Sequence, residues 1–112
     1  MKIYHNPKCT KSRETLQLIR NSGVEPEIIE YLKDVPSEVQ LKDLIGMLGI
    51  KPSELVRKGE ADYTDNFKGK SLSDDEWIAA MVKYPKLIER PIVVKNKKAV
   101  LGRPPENVKE LL

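Results

Sequence analysis

Residues 2–32 read KIYHNPKCTKSRETLQLIRNSGVEPEIIEYL, and this stretch decides the fold. It opens with a short alternating run that stops at Asn6-Pro7, which is typical of a strand entering a loop. Residues 11–21 then carry apolar side chains with charged ones between them, which predicts a helix. Gly23 lies just beyond and is the expected C-terminal stop of that helix.

A second strand is predicted over residues 26–32, after this helix-length connection. Two strands joined through a helix form a βαβ unit. Because the crossover in such a unit is right-handed, the two strands run parallel and the helix covers one face of the sheet.

The middle of the chain is predicted to be helical. Two capping boxes, Ser37 with Gln40 and Ser73 with Glu76, mark the starts of two helices. Pro85 ends the second helix, because proline cannot continue it. The first helix carries an apolar stripe at helical spacing that predicts a core face: Leu41, Leu44, Ile45 and Leu48.

The remaining segments are shorter. Residues 52–58 predict a short helical piece, and the polar residues 60–70 predict a loop. Two apolar runs within residues 92–101 are split by a polar turn and predict a β-hairpin. The prolines at 104–105 open a last helix, in which Val108 and the two terminal leucines are expected to face the core.

This order of elements predicts an α/β fold of the thioredoxin-like (glutaredoxin-like) type. The sheet is small and mixed, with about four strands flanked by helices, and a helical insertion separates the βαβ unit from the hairpin. A chain of 112 residues is expected to form a single domain, residues 1–112, with one continuous core.

The composition excludes several classes of protein. The apolar runs are too short for a secretory signal or a membrane span, so the expected location is the cytoplasm. The net charge is only +3, and the basic residues are spread along the chain with acidic residues between them, so they form no basic block. Nucleic acid is therefore not an expected partner. The single cysteine, Cys9, cannot form an internal disulfide and is either a buried structural thiol or a reactive one.

Cys9 is expected at the N-terminus of the first helix, where backbone NH groups and the helix dipole favour a thiolate. A fall in the thiol pKa from about 8.5 to about 6 raises the thiolate fraction at pH 7 about 30-fold, but it lowers the intrinsic nucleophilicity about 13-fold. Any large acceleration therefore requires other groups that position an electrophile and stabilise charge.

Three arginines are candidates for those groups, because each lies at the end of an element. Arg57 ends the short helical piece, Arg90 begins the hairpin and Arg103 follows it. In a thioredoxin-like sheet the loop before the third strand packs near the cysteine loop, so Arg90 is expected to point towards Cys9. The alternative for each arginine is a solvated surface charge.

Three further polar residues lie near Cys9 in the sequence. His5 either holds the thiolate, through its charge or a hydrogen bond, or simply ends the strand. Ser12 lies one helical turn after Cys9 and either hydrogen-bonds the sulfur or caps the helix. Asn6 either contacts the sulfur or shapes the loop before Pro7.

The chain resembles the glutaredoxin-dependent arsenate reductases, the ArsC family, within a thioredoxin-fold superfamily that also contains Spx-type regulators. The resemblance covers nearly the whole chain and rests on the stretches YHNPKCTKSR, RNSGVEPEIIEYL, SELVRKG, YPKLIERPIVV and LGRPPE. It implies that Cys9 is the nucleophile, and it implies three residues that handle an oxyanion: Arg57, Arg90 and Arg103.

The reaction implied by the resemblance is the reduction of arsenate to arsenite. Cys9 attacks arsenate to form a thiol-arsenate adduct, glutathione reduces the adduct, and glutaredoxin clears the resulting mixed disulfide. Guanidinium groups suit this substrate because they offset its charge and bind its oxygens in pairs. The sequence CTKS contains no resolving thiol, so Cys9 depends on an external one. Glutathione is thus a co-substrate, and neither a bound cofactor nor a metal is expected.

Two other functions stay open. A glutathione-linked thiol oxidoreductase of unknown substrate would use Cys9 as its nucleophile without needing three arginines. A Spx-like redox-responsive regulator would bind RNA polymerase instead of turning over arsenate. Such regulators commonly carry a CxxC pair and generally lack an arginine at the position of Arg103, so Ser12 and Arg103 favour the enzyme.

Overall fold

The computed structural model describes all 112 residues, which form two compact units. The first unit comprises Met1–Asp34 and Arg90–Leu112, and the second comprises Val35–Glu89. The first contains all four strands, and the second contains three of the four α-helices. The second unit is therefore the helical insertion that was predicted between the βαβ unit and the hairpin.

The first unit is built on one four-stranded sheet. Its strands are β1 (Lys2–His5), β2 (Glu27–Glu30), β3 (Ile92–Lys95) and β4 (Lys98–Leu101). Their spatial order is β2-β1-β3-β4. β1 pairs parallel with β2 and antiparallel with β3, and β3 pairs antiparallel with β4. This mixed sheet confirms the predicted thioredoxin-like arrangement.

The helix α1 (Thr10–Asn21) connects β1 to β2 and completes the βαβ unit. Leu16 and Ile19 on its buried face pack in one core with residues of β1 and β3. The helix ends as predicted, since Gly23 has a φ of 90° and its NH donates to the last turn. The helix therefore starts just beyond the end of β1, one of the two inner strands, and packs against the sheet.

The hairpin and the segment after it complete the same core. Asn96 and Lys97 form a two-residue turn with φ of 51° and 64°, which is typical of a type I′ turn. A 3₁₀ helix, Pro105–Leu111, replaces the predicted last helix. Val108 is fully buried, but Leu112, which was expected to face the core, is 45% exposed because it lies beyond the end of this helix.

The second unit is helical. It contains α2 (Glu38–Leu48), α3 (Ala61–Asn66), α4 (Asp74–Lys83) and the 3₁₀ turns Pro52–Leu55 and Pro85–Leu87. Both predicted capping boxes are present, with Ser37 before α2 and Ser73 before α4. The α2 stripe is buried at three positions and half-buried at Leu48. None of the helices is long and apolar enough to cross a membrane.

The predicted loop over residues 60–70 is wrong in part, because its first half forms α3. Tyr63 of α3 stacks on Trp77 of α4 with ring centroids 6.3 Å apart. Phe67, just after α3, lies with its ring centroid 5.8 Å from that of Trp77. These aromatic contacts stabilise a short helix that its polar composition alone does not predict.

Candidate active site

The loop between β1 and α1 places Cys9 at the start of the helix. Cys9 is the N-cap residue of α1 and has an extended backbone. Its NH donates to the Asn6 carbonyl at 3.0 Å, and its carbonyl accepts from the Arg13 NH at 3.0 Å. The Asn6 side chain accepts from the Lys8 NH at 3.0 Å, so it shapes the loop. The thiol is free and partly exposed at the N-terminal end of the helix.

The surroundings of Cys9 lower its pKa below the ordinary value of a thiol. Burial is the largest single influence and raises the pKa, because it disfavours the charged form. It is outweighed by the combined effect of the Ser12 NH, the hydrogen bond and charge of Arg90, and the Lys11 NH. The NH groups at the start of the helix thus favour the thiolate over the thiol, although the neutral side chain makes no capping hydrogen bond.

Arg90 and Arg103 both interact with the Cys9 side chain. Arg103 Nη2 donates to Cys9 Sγ at 3.6 Å, and Arg103 Nε donates to the Arg90 carbonyl at 2.8 Å. Arg90 acts on the sulfur through its own hydrogen bond and its charge. The peptide bonds from these arginines to Pro91 and Pro104 are both cis. The structure thus brings together the cysteine and two of the three arginines that the sequence singled out.

His5 and Ser12 form a buried pair next to this loop. His5 Nδ1 lies 2.6 Å from Ser12 Oγ, and the same oxygen accepts from the Asn6 NH at 3.0 Å. The Ser12 hydroxyl is therefore engaged by His5 and Asn6, whereas the Ser12 backbone NH acts on the Cys9 sulfur. His5 is linked to Cys9 through Ser12.

The pKa of His5 lies below its usual value, and burial is the largest cause. Glu30 opposes this shift, while the charges of Arg20 and Arg13 add to it. The lowered pKa favours the neutral form of the imidazole. This favours a hydrogen-bonding role for His5 over the alternative in which its positive charge holds the thiolate.

Arg57 lies in the second unit, on a short antiparallel ribbon. Val56 and Ile88 form a bridge flanked by backbone hydrogen bonds of 2.7 and 2.8 Å. Both are buried, so the alternating side chains of Arg57 and Glu89 lie on the other face of the ribbon. There the guanidinium pairs with Glu89 and with Glu60, each at 3.6 Å. A role for Arg57 in binding an oxyanion stays a prediction from the resemblance.

The two carboxylates beside Arg57 were missed in the sequence. Glu60 follows Arg57 at i+3, which is a recognisable ion-pair spacing, but Glu89 is distant in sequence and contacts Arg57 through the ribbon.

No group of three or more histidine, cysteine, aspartate or glutamate side chains is arranged to hold a metal ion. The chemistry available at Cys9 is that of a thiolate beside two guanidinium groups, which suits attack on an electrophile with anionic oxygens.

The sequence matches the model of the ArsC family over residues 4–111. It is 51% identical to Uncharacterized protein YfgD of Escherichia coli (strain K12), covering 100% of this chain and 96% of that protein. It is 45% identical to an arsenate reductase of the same strain, covering 98% of this chain and 79% of that protein. The structure of an arsenate reductase from Vibrio cholerae superposes with a TM-score of 0.95 at 52% identity, covering 99% of this chain and 96% of that one.

Proposed function

Because this chain belongs to the ArsC family, we propose that it is an arsenate reductase whose nucleophile is Cys9. The observation that carries the proposal is the direct contact between a cysteine of lowered pKa and a guanidinium group, with Arg103 Nη2 3.6 Å from the sulfur. A thiolate held between arginines is suited to an anionic electrophile, which it would otherwise repel.

The first step is attack of the Cys9 thiolate on arsenic. Arsenate near neutral pH carries about two negative charges, so the charges of Arg90 and Arg103 offset it as it approaches. A bond forms between Sγ and arsenic, and one arsenate oxygen leaves as water after taking up protons. The guanidinium groups bind the remaining oxygens as negative charge builds up on them.

The second step requires an external thiol, because Cys9 is the single cysteine. We assign this step to glutathione: its thiolate attacks Cys9 Sγ, a disulfide forms, and the arsenic departs with the electron pair of the former sulfur–arsenic bond. Arsenic(V) thereby becomes arsenic(III), and arsenite is released. Glutaredoxin then reduces the mixed disulfide by thiol–disulfide exchange and regenerates the Cys9 thiolate.

This scheme carries two further expectations. A catalytic thiol that must return to the reduced form after each turnover requires a reducing compartment, which favours the cytoplasm. Arg57 is proposed as a third oxyanion ligand on the strength of the family resemblance, and its substitution by lysine should reduce arsenate turnover.

The test is a coupled assay in which arsenite is measured directly. Purified protein is given arsenate, glutathione and glutaredoxin, and each component is omitted in turn. Full turnover should require all three, and Cys9→Ser should abolish it. Normal turnover by the serine variant would refute the mechanism. Formation of a Cys9–glutathione disulfide without any arsenite would instead identify a thiol oxidoreductase with another substrate.

A further inference from the structure

Gly102 occupies a site with no room for a side chain. A Cβ placed on it would lie 2.5 Å from Thr15 Oγ1, 2.9 Å from Thr15 Cγ2 and 2.8 Å from Pro91 Cγ. All three distances are shorter than real Cβ atoms allow, and none of these atoms is the far end of a flexible side chain. The backbone at Gly102 is therefore packed directly against α1 and against the start of the hairpin.

Hydrogen bonds tie the same three residues together. The Gly102 NH donates to the Pro91 carbonyl at 2.9 Å. Thr15 Oγ1 shares its proton between the Lys11 carbonyl of its own helix, at 2.8 Å, and the Gly102 carbonyl, at 3.3 Å. Thr15 is fully buried, so water does not compete for this proton. The contact between α1 and Gly102 is thus fixed both by shape and by polar partners.

The contact between Thr15 and Gly102 lies next to the residues of the candidate site. Gly102 immediately precedes Arg103, and Pro91 immediately follows Arg90. Both arginines thus extend from the pair of backbone segments that Gly102 joins. Thr15, on the other side, belongs to α1, whose N-cap residue is Cys9. The site has its sulfur at the start of α1 and its two cations at the ends of the hairpin. The contact between Thr15 and Gly102 joins α1 to the hairpin end.

We propose that Gly102 and Thr15 are positioning residues whose contact fixes the arginine-bearing end of the hairpin against the helix that carries Cys9. Both residues act through the two arginines, and their own contacts are with each other, Lys11 and Pro91. A displacement of the hairpin end by a few tenths of an ångström or more lengthens an arginine contact that is already 3.6 Å. The consequence for arsenate turnover rests on the proposed function, but the consequence for the thiol does not.

The experiment measures the ionisation of the thiol, because that property reports the arginine positions without any substrate. The rate of alkylation by iodoacetamide is followed against pH, and its midpoint gives the thiol pKa. Gly102→Ala should raise this pKa by about half a unit or more, since complete loss of one charged hydrogen bond corresponds to about one to two units. Gly46→Ala is the matched control, because a Cβ there meets nothing within 4 Å.

A rescue variant separates positioning from general damage. In Gly102→Ala with Thr15→Ala, two of the three close contacts disappear, so the thiol pKa should move back towards the wild-type value. If Gly102→Ala does not fold, as judged by circular dichroism, Thr15→Ala alone decides, since it loosens the same contact and should also raise the pKa. Arsenite formation is measured in parallel and should fall in the variants whose thiol pKa rises.

An unchanged thiol pKa in folded Gly102→Ala would overturn the proposal, even if arsenite formation were lost. An unchanged pKa in Thr15→Ala, where the glycine variant fails to fold, would overturn it as well. A raised pKa in a protein whose wild type forms no arsenite would refute the proposed function and leave the positioning role supported.

Discussion

Replacing Arg103 by glutamine should separate the two ways in which a cation can assist a thiolate. The substitution removes a positive charge whose Nη2 atom lies 3.6 Å from the sulfur. Two unit charges at that distance interact by about 1 kcal/mol in water and by about 5 kcal/mol at an effective dielectric constant of 20. Because Cys9 is partly exposed, the lower part of this range applies, and the thiol pKa should rise by about one unit, or about 1.4 kcal/mol.

That rise alone has a limited effect on rate. Below the pKa, one unit lowers the thiolate fraction about tenfold, while the intrinsic nucleophilicity of the more basic sulfur increases about threefold. The net loss through ionisation is therefore only three- to fourfold, about half a logarithmic unit. Loss of a donor to the developing oxyanion is larger, typically about 100- to 1,000-fold. We expect kcat/KM for arsenate to fall about 100-fold in Arg103→Gln.

The assay is a pH profile of kcat/KM for arsenite formation, measured together with the alkylation pKa. Arg20→Gln is the control, since it removes an exposed cation from the same helix as Cys9. The defect of Arg103→Gln should persist at pH values above the raised thiol pKa, where the sulfur is fully ionised. Recovery of wild-type activity at that pH would show that Arg103 acts on ionisation alone, and the proposed contact with substrate oxygens would then be refuted.

Three further outcomes concern stability. Because the pKa of Cys9 is lowered in the folded chain, ionisation of the thiol stabilises the fold. This stabilisation is fully present above the unfolded thiol pKa of about 8.5 and is lost as pH falls through the folded pKa. In urea titrations, the unfolding free energy of the wild type should rise between the folded and the unfolded thiol pKa, and that of Cys9→Ser should lack this rise. Asn96→Val should destabilise the hairpin by about 1–2 kcal/mol, because a β-branched residue is strained at positive φ, whereas Asn96→Gly should be nearly neutral. Ser73→Ala should lower the unfolding free energy by about 1 kcal/mol through loss of the α4 cap, and Ser71→Ala, which removes no cap, should not.

Much of the fold was predictable because its signals are local. The stop at Gly23 and the capping boxes at Ser37 and Ser73 each depend on residues a few positions apart, and all three are present in the structure. The helix α3 was not predictable in this way. Its residues are polar, and the packing of Tyr63 on Trp77 joins segments that only the folded chain brings together.

The candidate site, like the fold, has features that local sequence predicts and features that it does not. Cys9 at the start of a helix follows from the order of a strand, an Asn-Pro loop and a helix, which is visible in the sequence. The engagement of the Ser12 hydroxyl by His5 is not visible, because the spacing of seven residues spans a strand end, a loop and a helical turn. The packing of Thr15 against Gly102 was also missed, since the two residues lie 87 positions apart.

One consequence follows from Cys9 being the N-cap residue of α1. Most helices place an oxygen at this position, and its acceptor strength does not change during the life of the protein. Here the side chain carries a sulfur whose negative charge disappears whenever it forms a bond to another atom. The amide protons of Lys11 and Ser12, which stabilise that charge, should therefore differ in chemical shift and exchange rate between the free thiolate and its covalent forms. Nuclear magnetic resonance of these two amides would report the oxidation state of the protein directly from its backbone.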